Sequence, residues 1–276
     1  MPRRILCLTI ALAAAALPAP AAAQELLPDL DQQTPDGLTV AGHGGAGAHF
    51  ELGFQSAVRN VGDGPLIVVG SRPDTRVPQM TARQIVEHAG GAQGALATPS
   101  RLQYAVSRTH QHWHLLHFDR YVLRRAGTRG AVVSDRKTGF CLGDRYRIAG
   151  RYVPAAPEQP RFTDSCGLLQ RGRLTITEGI SPGYGDNYRP YLEGQSLPLT
   201  GLRAGRYVLI HRVNGDRSLR ESDYRNNAAS VLLELRWRGG RPLLRQLATC
   251  PDTDRCDELP AALDARRFLP TIGEGP

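Results

Sequence analysis

The apolar residues of this chain come in short runs, and nearly every run is closed by glycine, proline, asparagine or aspartate. Such punctuation leaves room for strands but rarely for a helix of three turns. The stretch "FELGFQSAVRNVGDGPLIVVGSRP" reads as strand, turn at Gly62-Asp63-Gly64, strand. "RLQYAVSRTHQHWHLLHFDRYVLRR" reads as one long strand-like stretch, and "RLTITEGI", "GRYVLIHRVN" and "ASVLLELRW" as further strands. Only "MTARQIVEHAG" and "LPAALDARRFL" read as helices, both short. The expected fold is therefore all-β: one β-sandwich-like domain with a few short helices and long loops, notably 143–170 and 178–200.

The ends of the chain have their own character. "MPRRILCLTIALAAAALPAPAAAQ" places two arginines before an apolar, alanine-rich run and closes on small residues. This is the pattern of a cleaved secretory signal, and the run is too short for a membrane anchor. The expectation is a signal peptide over 1–23, a flexible Gly-rich segment over 24–45, a main domain over 46–240 and a C-terminal tail over 241–276. The product is secreted or periplasmic, with no membrane span. The formal charge of +8 comes from arginines scattered along the chain without a nucleic-acid motif, which speaks against nucleic acid as a partner.

Once Cys7 leaves with the signal, Cys141, Cys166, Cys250 and Cys256 remain. An even count in an exported chain implies two disulfides. Three pairings are open to four cysteines, and the short loops Cys250–Cys256 and Cys141–Cys166 are the preferred ones.

Two features carry chemistry. In "THQHWHLLHF", His110, His112 and His114 alternate, so on a strand their imidazoles share one face. Three imidazoles converging on a point suit copper or zinc. In a flat strand the outer two Cα atoms would lie about 13 Å apart, so the segment has to bend to bring them together. His117 has the opposite parity. The second feature is Lys137, the single lysine in a chain whose other basic side chains, of 34, are all arginine. A guanidinium stays charged at any usable pH, whereas an amine can lose its proton and act as a nucleophile.

The motifs "HQHWH", "RKTGFCLGD", "GISPGYGDNY" and "LRAGRYVL…ESDYRNN" follow one another in the order of the lysyl oxidase catalytic domain, which the chain resembles over roughly residues 50–237. "VRNVGDGPLIVVGSRP" resembles that domain's entry strands. The resemblance implies a copper-dependent quinoprotein amine oxidase. His110, His112 and His114 match the copper ligands, while Lys137 and Tyr188 match the pair that cross-links into the lysine tyrosylquinone cofactor. Cys141 and Cys166 match a family disulfide, and Asp186 an acidic position that would serve as catalytic base. The implied substrates are dioxygen and a primary amine or peptidyl lysine; the products are an aldehyde, hydrogen peroxide and ammonia. The chain departs from the family in carrying fewer cysteines, in a shorter "LLHFDRY" and in Tyr184 where a cysteine is usual.

The alternative is an exported copper-binding or adhesion-type β-sandwich module without catalysis. On either reading, Glu221, Asp223, Asn226 and Asn227 of "ESDYRNN" are expected to cap strands and turns through side-chain hydrogen bonds.

Overall fold

The computed structural model describes residues 23–43, 48–107, 110–134, 139–190, 192, 194–258, 269 and 271–273. Every regular element among them is a β-strand, and the strands form three sheets. The first runs in the order Gly139–Phe140, Trp113–Leu116, Gln93–Tyr104, Gln79–His88, Leu66–Ser71, Thr175–Ile180, with Glu25–Leu26 added on Gln79–His88. The second runs Ala131–Ser134, Asp119–Arg125, Gly205–Val213, Ala228–Arg238, Arg241–Cys250. The third is built around the long strand His49–Asn60, which pairs with Leu30–Gln32, Asp36–His43, Tyr184–Tyr188 and Ser196–Pro198.

One apolar cluster gathers the inward residues of all three sheets, among them Phe54, Met80, Trp113, Tyr121 and Leu233. A smaller cluster lies on the outer face of the second sheet, where Val208, Ile210, Leu232 and Leu247 meet the disulfide Cys250–Cys256. The other disulfide is Cys141–Cys166. Both pairings agree with those preferred from the sequence.

Three expectations need correction. "MTARQIVEHAG" lies on the strand Gln79–His88, where Met80, Ala82, Gln84 and Val86 are buried and Thr81 and Arg83 are exposed. That two-residue alternation, with a neighbouring strand on each side, overrides the helical propensity of the segment. The single stretch through the histidines is three strands, Gln93–Tyr104, Trp113–Leu116 and Asp119–Arg125, the last in a different sheet. The segment 24–45, expected to be flexible, carries three strands in its described part, with Leu30, Val40 and Ala41 buried. The second helical expectation, "LPAALDARRFL", lies on 259–269, of which only Leu269 is described, and the signal region falls almost wholly outside the described residues.

The turn at Gly62-Asp63-Gly64 does not close a hairpin, because His49–Asn60 and Leu66–Ser71 belong to different sheets. It is the point at which the chain changes layer, and the N-terminal segment packs directly on it. A Cβ on Gly64 would stand 2.0 Å from the Leu26 carbonyl oxygen, and one on Gly62 would stand 2.5 Å from the Asp29 nitrogen. No larger residue fits there. The buried Asn60 side chain completes the corner, accepting from the Asp29 and Gly62 amides and donating to the Gly64 and Ile180 carbonyls.

Candidate functional site

His114 belongs to the short strand Trp113–Leu116, while His110 and His112 precede it on irregular backbone. This is the bend that a flat strand lacks. It brings the three rings to centroid separations of 5.3 Å (His110–His112), 5.5 Å (His110–His114) and 4.7 Å (His112–His114). His112 Nε2 and His114 Nε2 stand 2.8 Å apart. With metal–nitrogen bonds of about 2.05 Å, two ligands at a right angle have nitrogens about 2.9 Å apart. Among the described residues, no group of three or more His, Cys, Asp or Glu side chains is close enough to hold a metal ion as it stands. The fit to copper therefore rests on the all-imidazole donor set and on this convergence. His117 is apart from the cluster: it sits exposed in the turn that follows, with φ 61°.

The other face of this segment is firmly held. Trp113 is fully buried, its ring 5.6 Å from Tyr104, with the Arg72 guanidinium 4.6 Å above it. Arg72 also donates to the carbonyls of Val77, Arg171 and Arg173. Four oriented contacts on one buried cation fix the indole, and with it the histidines on either side.

Tyr188 lies on the strand Tyr184–Tyr188 of the third sheet, half-buried, its ring 5.1 Å from that of Phe140. Phe140 pairs with Leu115, next to His114, so a single aromatic ring links the tyrosine to the histidine strand. The disulfide ties the same two regions together: the Tyr188 hydroxyl lies 2.7 Å from the Cys141 carbonyl oxygen, and the Trp113 amide donates to the Cys166 carbonyl.

The Tyr188 hydroxyl is also 3.1 Å from Asp186 Oδ2. Asp186 is 2 % exposed and accepts from the Gly143 amide at 3.2 Å, with Arg145 Nε 3.8 Å from its other oxygen. Burial pushes its carboxyl up to about 7, against the opposing pull of Arg145, Tyr188 and two backbone amides. Burial and the adjacent Asp186 charge raise the Tyr188 phenol well above its ordinary value.

The structure thus brings His110, His112, His114, Asp186, Tyr188 and the Cys141–Cys166 bridge into one neighbourhood. Lys137 lies outside the described residues. The acids and amides of "ESDYRNN" do act as caps: Glu221 accepts from the Leu30 amide and from Asn214 and Asn227, and Asp223 accepts from the Arg225 amide.

Sequence reasoning missed four residues. Asp144 pins the long loop by accepting from the Arg161, Phe162 and Ser181 amides and from the Ser181 hydroxyl. Arg72 and Arg145 had no local signal, since their partners are distant in sequence. Glu178 had one: in "TITEGI" it occupies the inward parity between Ile176 and Ile180, an acid in a row of core residues.

Fold and site together define an all-β protein with a histidine-centred site beside a tyrosine held on a buried acid. The family model described as Lysyl oxidase matches residues 80–242, more than half of the chain, and the chain belongs to that family. Protein-lysine 6-oxidase of Sus scrofa is 33 % identical over 147 residues, covering 51 % of this chain and 51 % of the relative. Protein-lysine 6-oxidase of Homo sapiens is 32 % identical over 147 residues, covering 51 % of this chain and 30 % of the relative. Lysyl oxidase homolog 1 of Homo sapiens is 32 % identical over 120 residues, covering 43 % of this chain and 18 % of the relative. The chain spans about half, or less, of the length of these relatives.

Proposed function

We propose that this chain is an exported, copper-dependent amine oxidase acting on primary amines, with protein-bound lysine as the substrate class that its relatives' names indicate. The observation that carries the reading is the Tyr188 hydroxyl held on buried Asp186, one aromatic ring away from three converging histidines. His110, His112 and His114 would hold copper, and Lys137 and Tyr188 would supply the lysine tyrosylquinone. Once formed, that group would supply a two-electron oxidation of the amine carbon with dioxygen as the final acceptor, so that amine, dioxygen and water would give aldehyde, ammonia and hydrogen peroxide.

The protein's own part in this reading is proton handling and orientation. Asp186, poised near neutrality, removes the proton from the carbon bearing the amine. Arg145 steadies the carboxylate before the transfer. Phe140 and the Cys141 carbonyl fix the Tyr188 ring edge-on and prevent it from swinging out of the site. Two disulfides suit an oxidising compartment, and among the described residues no helix is long and apolar enough to cross a membrane. The proposed catalytic domain, 46–240, works with the strand Arg241–Cys250, which completes the second sheet.

The test is peptide mapping by mass spectrometry on protein matured with copper in air. One cross-linked species containing Lys137 and Tyr188 is the expected result. Separate peptides from copper-loaded protein would overturn the oxidase reading and leave a copper-binding module.

A further inference from the structure

Glu178 is an acid placed where the fold calls for a core residue. The strand Thr175–Ile180 pairs with Leu66–Ser71, and its inward side chains are Ile176, Glu178 and Ile180, at 2 %, 1 % and 0 % exposure. Sequence spacing separates Glu178 from Asp186, but the chain segment after Cys141 joins them. The Leu142 amide donates to Glu178 Oε2 and the next amide, Gly143, donates to Asp186 Oδ2, both at 3.2 Å. Two carboxyls thus hang from two consecutive amides in one buried pocket.

The surroundings of the two acids are unequal. Asp186 has the Gly143 amide, the Tyr188 hydroxyl and the Arg145 guanidinium. Glu178 has backbone amides alone, Leu142 at 3.2 Å and Leu115 more weakly, and among the described residues no side-chain donor or facing cation; its Oε1 is buried with no partner at full hydrogen-bond geometry. Arg145 is the nearby cation, 31 % exposed, and it faces Asp186. Among the described residues, Arg145 is the one cation beside the two acids, so it offsets one buried charge and a second anion in the same pocket would have no described cation facing it. From the neighbouring elements, Asp186 and Tyr188 on one strand, Tyr121 on another and Arg145 on the loop face this pocket. Of these, the Asp186 charge adds to the effect of burial in holding the Glu178 proton on, and Arg145 and the backbone amides oppose it.

We propose that Glu178 is the neutral, proton-holding member of a two-acid pair, a positioning residue that confines the pair's single negative charge to Asp186, facing Tyr188. Its consequence for catalysis rests on the amine-oxidase reading: were Glu178 ionised, Asp186 would keep its own proton and could not accept the one leaving the substrate carbon. As the pair titrates, Asp186 loses its proton first and Glu178 at higher pH. When Asp186 accepts the substrate proton, both acids are neutral and the Arg145 charge is left to the solvent that its 31 % exposure already admits. The proton then leaves Asp186 for solvent on the partly exposed Arg145 side before the next turnover, and does not pass to Glu178, which already holds one.

The experiment is infrared titration of the whole protein, following the C=O stretch of protonated carboxyls, in the parent, Glu178→Gln and Asp186→Asn. The expected result is a protonated-carboxyl band that persists above the Asp186 transition, is missing from Glu178→Gln, and survives in Asp186→Asn while titrating at lower pH than in the parent, because the Asp186 charge no longer adds to burial. A parent without that band overturns the proposal, as does a band that Glu178→Gln retains and Asp186→Asn loses. Should Glu178→Gln fail to fold, Arg145→Gln supplies an independent test. Removing the cation should move the Asp186 transition to higher pH and leave the persistent band in place; an unmoved transition overturns the proposal.

In the activity assay, Glu178→Gln mimics the neutral acid. It should keep amine-dependent peroxide formation within a factor of about three near neutrality and lose any fall in rate on the alkaline side. Loss of most activity in a folded, cross-linked Glu178→Gln overturns the positioning role. The infrared result needs neither copper nor the quinone. If the parent makes no peroxide but shows the band, the amine-oxidase reading fails and the acid pair stands.

Discussion

Tyr188 and Asp186 lie two residues apart on one strand, so their side chains share a face, and the phenol oxygen rests 3.1 Å from Asp186 Oδ2. In the proposed reading this places the residue that becomes part of the cofactor directly on the group that moves the proton. The alternation of a β-strand alone brings about that contact, and the burial of Asp186 gives it chemical force.

Asp186→Asn should remove the base while leaving the shape. The expected outcome is a loss of about 10²–10⁴-fold in amine oxidation, with copper content unchanged. In the parent, the rate at low substrate should rise with pH through about 7, where Asp186 becomes the anion. A pH profile of peroxide release checks both points, and an unshifted profile in Asp186→Asn would remove Asp186 from the mechanism.

Lys137→Arg should retain copper yet yield no cross-linked peptide and no amine-dependent peroxide, because a guanidinium does not lose its proton to attack a ring. His112→Ala should lose both metal and cross-link, since His112 Nε2 and His114 Nε2 already stand 2.8 Å apart, converging on one point. Metal analysis and peptide mapping of the two variants separate the roles. Full activity in either would refute the assignment.

Glu221 is buried, and burial lifts its carboxyl to about 7 despite the donors from Leu30, Asn214 and Asn227. Its unfolded value is 4.5, so between about 4.5 and 7 the folded state binds the proton that the unfolded state has released. Stability therefore falls as pH rises through that window; Asp186 and Glu178 act in the same direction. Glu221→Gln should cost about 1–3 kcal/mol by disturbing three donors, and should make this part of the pH dependence shallower. Thermal melts across the window measure it.

His211 has the opposite sign. It is fully buried against Phe54 and Tyr121, neither ring nitrogen has a hydrogen-bond partner, and burial lowers its pKa from 6.5 to about 3. The folded state refuses a proton that the unfolded state accepts, so stability is present above about 6.5 and is lost as pH falls below it. His211→Phe, which needs no ring partner, should flatten that acid-side loss. Equal steepness in parent and variant between about pH 4 and 6 would show that other groups govern the acid limb.

Most of the strands were legible because their cause is local. "RLTITEGI", "GRYVLIHRVN" and "ASVLLELRW" are apolar, β-branched and bounded by turn residues, and each appears as a strand. The strand Gln79–His88 was misread because "MTARQIVEHAG" carries helix-forming residues, and only its neighbours on both edges make the two-residue period decisive. The histidine motif was legible as a set. Its working geometry was not, since it depends on Arg72 and Cys166, which reach Trp113 from remote parts of the chain.

From the sequence alone came the inventory of chemistry: three histidines in alternation, one lysine among arginines, a tyrosine two residues beyond an acid, four cysteines for two bridges, and an all-β pattern. Only the tertiary structure decided how those groups behave. It bent the histidine segment so that imidazoles that would be spread over about 13 Å of flat strand converge. It also enclosed Asp186 and Glu178 in one pocket, where burial raises both acids and Arg145, the facing cation among the described residues, only partly opposes it. The physical reason is that residue identity is written locally, whereas burial and charge compensation are sums over neighbours that the chain brings together only when its sheets close on a common core.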